Sequence, residues 1–484
     1  MNTVKKMEDY SSALRKSHKE SQFKAKRVCP LISYSVDTTQ KLTEVNTLIT
    51  PPEIPLNTKL TYILKELQTS DYQYLKNILL LIRRILSKAE LIEQAIKLNY
   101  VIYLSKIFDC EDKEVLINLM WLLTNITAES SEAIRQIREL KVQYKLLEIL
   151  NKEDEEIKEQ CIWLIANITA DSVEARNEML EDNIAEKLCY ILSLKGVKER
   201  LLKVICWEIS NLCKGKPPPE FEKVKKFVVH LSNFLYYEDE QLVSDALWAL
   251  LSLTDRERTA VKYIAHSINL KQVSSFITHK NQLIKKPALI ILGNITIGDK
   301  EDVETALNSD CLTQLAKALR IEKYSELLVD ICWVISSIAA DIENHNDLFI
   351  SLGITENLIS LTRTIHSKSV KKEAFFALKN MIKIATNEQV TLILKQGLLS
   401  AVIDWLEVSD PDFVSILLDI LDAVIDINNN ALEFELLGGK AKLEYIQLHG
   451  NIAFYKRSLS LLKKCYEQTE CAHNKMELDE LISN

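Results

Sequence analysis

The sequence predicts an all-α chain built by stacking similar three-helix units, and three observations carry that expectation. Tryptophans recur at one spacing, turn-forming residues recur at the same spacing, and glycine is scarce. Trp121, Trp163, Trp207, Trp248 and Trp333 are 42, 44, 41 and 85 residues apart, and Phe376 follows after 43 more. The long gap is two repeats, with its midpoint near Ile290 in the run KKPALIILGNIT. Asn99, Asn183, Asn269, Asp310, Gly353 and Gly397 each precede a fresh apolar run, at separations of 84, 86, 41, 43 and 44. Asn and Gly tolerate the left-handed conformation that closes a helix, so these positions read as turns. The nine glycines compare with about 34 at average usage, which leaves little for phosphate-binding loops or tight strand–helix turns.

Periods of ~40–47 residues belong to armadillo and HEAT arrays, whereas TPR and ankyrin repeats are shorter. One unit shows the plan. Ser131–Glu139 is a short helix with a serine start, Tyr144–Leu150 a second, and Glu155–Thr169 a longer third carrying Trp163. Three helices per unit favour the armadillo type, a right-handed superhelical solenoid of about ten repeats over residues 59–468. Ahead of it lie a basic segment, 1–28, and a Ser/Thr/Pro-rich stretch, 29–58, that reads as a flexible linker. Residues 469–484 form a polar acidic tail.

Composition narrows the function. Residues 1–28 carry eight Lys/Arg against three acids, a net of +5, and the whole chain is −8, leaving −13 for the remainder. An acidic body receives basic ligands, and nucleic acid is a poor partner for it. The ten cysteines show no CxxC spacing and several sit in apolar helical runs, which favours reduced core thiols over zinc or disulfides. Met1 opens no signal peptide and no apolar stretch approaches ~20 residues, so no membrane partner is expected. The eight histidines are dispersed without an HExxH or GxSxG motif, so neither an enzyme nor a cofactor is expected.

The residues that carry chemistry are pairs. Asparagine follows tryptophan by four in WLLTN (Trp121, Asn125), WLIAN (Trp163, Asn167) and WEISN (Trp207, Asn211). On a helix, positions four apart share a face, so stacked third helices line indoles and carboxamides into parallel rows. Asparagine both donates to and accepts from peptide groups, so a row of them can clamp an extended chain without reading its sequence. Neighbouring indoles make slots for the aliphatic stem of lysine, its ammonium drawn to ring faces or carboxylates. Asp171, Glu208, Asp245 and Asp255 lie in or just after these helices. A single such tryptophan is ordinarily core packing and a lone asparagine a buried amide, but three pairs at one spacing favour a binding row.

These segments resemble importin α, the armadillo adaptor for nuclear localisation signals. WLLTNITAESSEAI, QCIWLIANITADS, CWEISNLCKGKPPP, SDALWALLSLTD and KKPALIILGNITIGD match its successive repeats in order. The resemblance implies a major cargo site at Trp121/Asn125, Trp163/Asn167 and Trp207/Asn211. In it Asp171 would take a buried cargo lysine, Gln160 would assist, and Asp245 and Trp248 would extend the site. Ile134 stands where the family has a threonine beside that lysine, so fewer polar contacts are expected there. The minor site departs further. Trp333 is followed by Ser337 rather than asparagine, the second pair is Phe376/Asn380 with Glu373 kept, and Ile290 replaces an arginine although Asn294 remains. Two-part signals are therefore expected to gain less here. Residues 14–28 (LRKSHKESQFKAKRV) resemble the later part of the importin-β-binding segment, with Arg15 and Lys16 followed by a reduced self-inhibitory stretch, Lys24, Lys26 and Arg27. The implied partners are basic nuclear localisation signals, importin β and an exportin-type export receptor, in a protein shuttling between cytoplasm and nucleus. The rival reading is a β-catenin-type armadillo scaffold, whose groove would receive acidic partners.

Overall fold

The computed structural model describes residues 56–483, apart from 69–70, 87–88, 342–344, 407–409 and 428–429. The basic segment, with Arg15, Lys16, Lys24, Lys26 and Arg27, and most of the expected linker lie outside the described residues. The first described helix begins at Leu56, slightly ahead of the expected boundary at 59.

Every described element is helical, and long helices recur with two shorter ones between them. We label the long ones α1 (Tyr72–Ile85), α2 (Lys113–Glu129), α3 (Glu155–Thr169), α4 (Glu199–Cys213), α5 (Glu240–Thr254), α6 (Gln282–Thr296), α7 (Ser325–Asp341), α8 (Lys368–Lys383), α9 (Pro411–Val424) and α10 (Ile452–Ser483). Their starts are 41 to 44 residues apart, the spacing that the tryptophans announce, and the armadillo plan of three helices per unit is the one observed. The last helix runs on through residues assigned by sequence to the polar tail.

The chain divides into two compact units, Met1–Arg256 and Glu257–Asn484. In the first, α1 to α5 pack each on the next; in the second, α6 to α10 do the same. A helix so flanked is apolar nearly all round. In α2, Val115, Leu116, Leu119, Met120, Leu122, Leu123 and Ile126 are all buried, while Asn125 is partly exposed.

Local chemistry sets the helix ends. Asp71, Asp112, Asp154, Asp239, Asn281 and Asp410 cap α1, α2, α3, α5, α6 and α9, each side chain accepting from a backbone N–H of the first turn. Such a cap is worth ~1 kcal/mol. The expected left-handed turns occur at Asn99, Asn183, Asp310, Gly353 and Gly397, with φ between 62° and 91°. Asn269 differs. Its φ is −82°, and its side chain caps the helix after it by accepting from Lys271 and Gln272. Ile268 already ends the preceding helix in an extended conformation, so no left-handed residue is needed. Lys141 takes the left-handed turn (φ 55°) in the repeat where sequence shows no Asn or Gly, and the second helix there begins at Val142, ahead of the expected Tyr144.

Among the described residues the cysteines are free thiols, no group of three metal-binding side chains occurs, and no helix is long and apolar enough to cross a membrane.

Candidate peptide-binding face

In the first unit, α2 to α5 bring the predicted pairs onto neighbouring helices. Trp163 is partly exposed and stands edge-on to buried Trp207, ring centroids 6.1 Å apart at 71°. Edge-to-face contact is the favoured geometry for two quadrupolar rings, and such a pair is worth about 1 kcal/mol beyond area burial. Trp248 on α5 is partly exposed. Trp121 is nearly buried, because the Arg83 guanidinium of α1 lies over its ring, 3.4 Å from the centroid.

The carboxamides do something that spacing alone did not reveal. Asn167 donates from Nδ2 to the Thr124 carbonyl of α2 at 2.9 Å, and Asn211 from Nδ2 to the Ala166 carbonyl of α3 at 3.1 Å. Both are buried; of the three, Asn125 is partly exposed. Each tie joins one repeat to the next and fixes the plane of its amide. Lys214 reaches the Oδ1 of Asn211.

Asp171 follows the end of α3 and is partly exposed, with Ser131 Oγ donating to its Oδ1 at 2.6 Å. Ile134 is fully buried, so the position expected to be short of polar contacts is served instead by Ser131. Gln160 is buried, and Asp245, also buried, accepts from Gln241 Nε2 at 3.0 Å. Asp255 ends α5 as its C-cap residue.

Glu208, beside Trp207, is entirely enclosed. Thr169 Oγ1 donates to its Oε1 at 2.9 Å, and its Oε2 has no hydrogen-bond partner. Burial pushes its carboxyl up to about 8, opposed by Thr169, by the nearby Lys214 charge and by Asn211. It is neutral at pH 7 and supplies no fixed negative charge to the face.

In the second unit, Trp333 of α7 lies against α6, where a Cβ on Gly293 would fall 2.0 Å from its Cζ3 and 2.3 Å from its Cη2. Only glycine admits the ring there. Gly293→Ala is expected to destabilise by ~1–3 kcal/mol as Trp333 is displaced, with a shifted tryptophan emission; thermal unfolding and fluorescence read both. Ser337 is buried and closes its hydroxyl on the Trp333 carbonyl at 3.0 Å. Asn380 is tied like Asn167, donating to the Ser336 carbonyl at 3.2 Å and to Ser336 Oγ at 2.9 Å. Phe376 is partly exposed, but Lys379 Nζ stands 4.3 Å over its ring. Asn294 and Glu373 are buried, and Ile290 is partly exposed.

One register went unread in the sequence. Three residues before five of the six aromatics stands a polar side chain: Asn118 before Trp121, Gln160 before Trp163, Asp245 before Trp248, Asp330 before Trp333 and Glu373 before Phe376, with Val204 before Trp207 the exception. All five are buried. Asp330 is the residue missed in the second unit. Burial raises its carboxyl to about 7, with Lys286 opposing and Glu326 and Glu373 reinforcing the shift.

No family model matches the chain. Importin subunit alpha-1b of Oryza sativa subsp. japonica is 24% identical over 285 residues, 56% of this chain and 53% of that protein. Importin subunit alpha-4 of Arabidopsis thaliana is 26% identical over 286 residues, with the same coverage. The chain thus spans about half the length of the curated relatives it matches. Among solved structures, an engineered protein superposes with a TM-score of 0.73 at 21% identity, covering 85% of this chain and 99% of its own; at that identity the likeness speaks for the fold. With its three-helix repeats and ordered Trp/Asn pairs, the chain has the armadillo-repeat fold, and over about half its length it is similar in sequence to importin α subunits.

Proposed function

We propose that the chain is a nuclear import adaptor that holds lysine-rich localisation signals of cargo proteins, extended across the face of α2 to α5. Through its basic N-terminal arm it links them to importin β. The observation that carries this is the Trp163/Trp207 pair, one ring partly open, flanked by carboxamides whose planes are already fixed by ties to the neighbouring helix. Buried Asn167 and Asn211 hold the repeats in register, and the partly exposed Asn125 is the carboxamide placed to meet a peptide group. Asp171 stands beside Ser131 at the end of α3, where a carboxylate can receive an ammonium. The names of the relatives support a role in import. Shuttling between cytoplasm and nucleus, with release of the empty adaptor to an exportin-type receptor, belongs to the same proposal.

The second unit contributes less in this reading. Ser337 has turned its hydroxyl into its own helix and Lys379 stands on the Phe376 ring, so a second basic cluster finds fewer contacts.

Fluorescence anisotropy with the full chain tests the proposal, using labelled lysine-rich and acidic peptides of equal length. Preference for the basic peptide, weakening with salt, is expected; preference for the acidic one would favour a scaffold of the opposite polarity. Deleting residues 1–28 tests the arm. The self-competing cluster is only Lys24-Ala25-Lys26-Arg27, and each missing cation–π contact forgoes ~0.5–2 kcal/mol. Deletion should therefore raise cargo affinity less than about tenfold, while importin β capture is lost. A hundredfold gain would mean that the arm occupies the face far more strongly.

A further inference from the structure

The turns that lead into α7 and α8 carry three large apolar side chains in water. Ile321 and Tyr324, just ahead of α7, are 56% and 61% exposed, and Ile365, just ahead of α8, is fully exposed. Apolar residues scattered singly over a surface need no explanation. These three are grouped, because α7 and α8 pack side by side and helices so packed lie ~8–10 Å apart.

The first of these turns is built around a buried acid. Oε1 of Glu322 accepts from the backbone N–H of Lys323 at 2.9 Å and of Tyr324 at 3.0 Å, and its Oε2 receives Lys285 Nζ of α6 at 2.6 Å. That carboxylate is consumed inside the turn, and what stays in water around the apolar tips is positive. Lys317, Arg320, Lys323 and Arg363 are all exposed, and among the described residues none of the four is ion-paired. Glu326 faces Lys286 at 3.9 Å and Lys368 faces Asp410 at 3.7 Å. Exposed Glu356, on the helix Ile354–Arg363 between the two turns, is ion-paired with none of the four cations.

The two arginines are placed by the same construction, one repeat apart. Arg320 Nη2 donates to the Leu352 carbonyl at 2.7 Å, beside left-handed Gly353, and Arg363 Nη2 to the carbonyl of left-handed Gly397 at 2.8 Å. A carbonyl fixes a guanidinium without cancelling its charge, and a guanidinium so held still has donors for a carboxylate. Arginine and tyrosine are also the residues enriched where proteins meet.

We propose that this edge of the second unit is a docking surface for an acidic segment of a partner protein, with apolar or aromatic side chains set among its carboxylates. The two turns are about 10 Å apart, which an extended segment covers in about three residues. Apolar residues three apart would then reach the Ile321/Tyr324 and Ile365 tips, while carboxylates between them meet Arg320, Lys323 and Arg363. Fixed guanidiniums suit carboxylates, whereas three side chains bury too little to hold a chain on a lipid surface. The site lies wholly in the second unit and does not rest on the peptide-binding reading above.

Anisotropy on the full chain tests it, with a labelled peptide carrying two leucines three positions apart among aspartates and glutamates. Binding that weakens as salt is raised is expected. Control peptides with the acids changed to amides, or the leucines to serine, should each lose about tenfold. Tyr324→Asp with Ile365→Asp should cost the acidic peptide about tenfold or more. Lys317→Glu with Lys323→Glu, which removes no recorded side-chain contact, should cost about three- to tenfold. Circular dichroism confirms that both double variants are folded. No binding of the acidic peptide would overturn the proposal, and so would binding that neither double variant weakens. Vesicles of phosphatidylserine and phosphatidylcholine are the last probe: capture by vesicles without binding of the peptide would assign the edge to a lipid surface instead.

Discussion

Asp171→Lys is expected to remove most of the affinity for a lysine-rich peptide while leaving the fold intact. Asp171 is partly exposed just beyond the end of α3, where it accepts a hydrogen bond from Ser131, and substitutions at such surface positions usually cost the fold little. A lysine after the C-terminal turn of α3 also suits the negative end of the helix dipole. The ligand loses much more. An ammonium that met a carboxylate would meet another ammonium, and truncating one partner of such a charge pair already costs ~2–5 kcal/mol. Ser131→Ala should cost less, ~0.5–1.5 kcal/mol, because it removes only a hydrogen bond that orients the carboxylate. Anisotropy titrations beside far-UV circular dichroism separate the effects. Unchanged affinity in a folded Asp171→Lys chain would take Asp171 out of the site.

Stability is expected to fall as the pH rises from about 5 to 8, and Glu208→Gln should suppress part of that fall. In the unfolded chain this carboxyl gives up its proton at its ordinary value of 4.5, whereas in the folded chain it does so at about 8. Between those values the native state holds more protons than the unfolded state, so the slope of stability against pH is negative. The contribution is fully present below 4.5 and has been lost once the pH passes the folded value. The shift corresponds to roughly 5 kcal/mol at most, and a glutamine that keeps the acceptor for Thr169 avoids it. A gain of about 2 kcal/mol for Glu208→Gln at pH 8, shrinking toward zero near pH 5, is the expected result in urea unfolding. A difference that does not change with pH would show that Glu208 reaches water more readily than its enclosure implies.

Other features of the molecule divide by the kind of signal that carries them. The Asp caps at Asp112, Asp154 and Asp239 and the left-handed turns at Asn99, Asn183 and Gly353 are local: each residue acts on backbone a few positions away. Lys141 is the exception that shows the limit. Its left-handed turn is imposed by the repeat around it, since lysine has no preference for that conformation.

What the sequence determined by itself is therefore the periodic part: the repeat length, three helices per unit, and the register that sets Trp121, Trp163 and Trp207 four residues ahead of their asparagines. A period is a one-dimensional signal, and helical geometry converts it directly into a shared face. What only the tertiary structure decided is the partner that each side chain takes one repeat away. Asn167 and Asn211 turn to carbonyls of the preceding long helix, Ser131 takes the place beside Asp171, Arg83 covers Trp121, and Glu208 is sealed against water. These choices rest on contacts between residues some forty positions apart, which exist only once the repeats are stacked. Among close-packed side chains, differences of well under an ångström settle which group fills a slot and which must leave it.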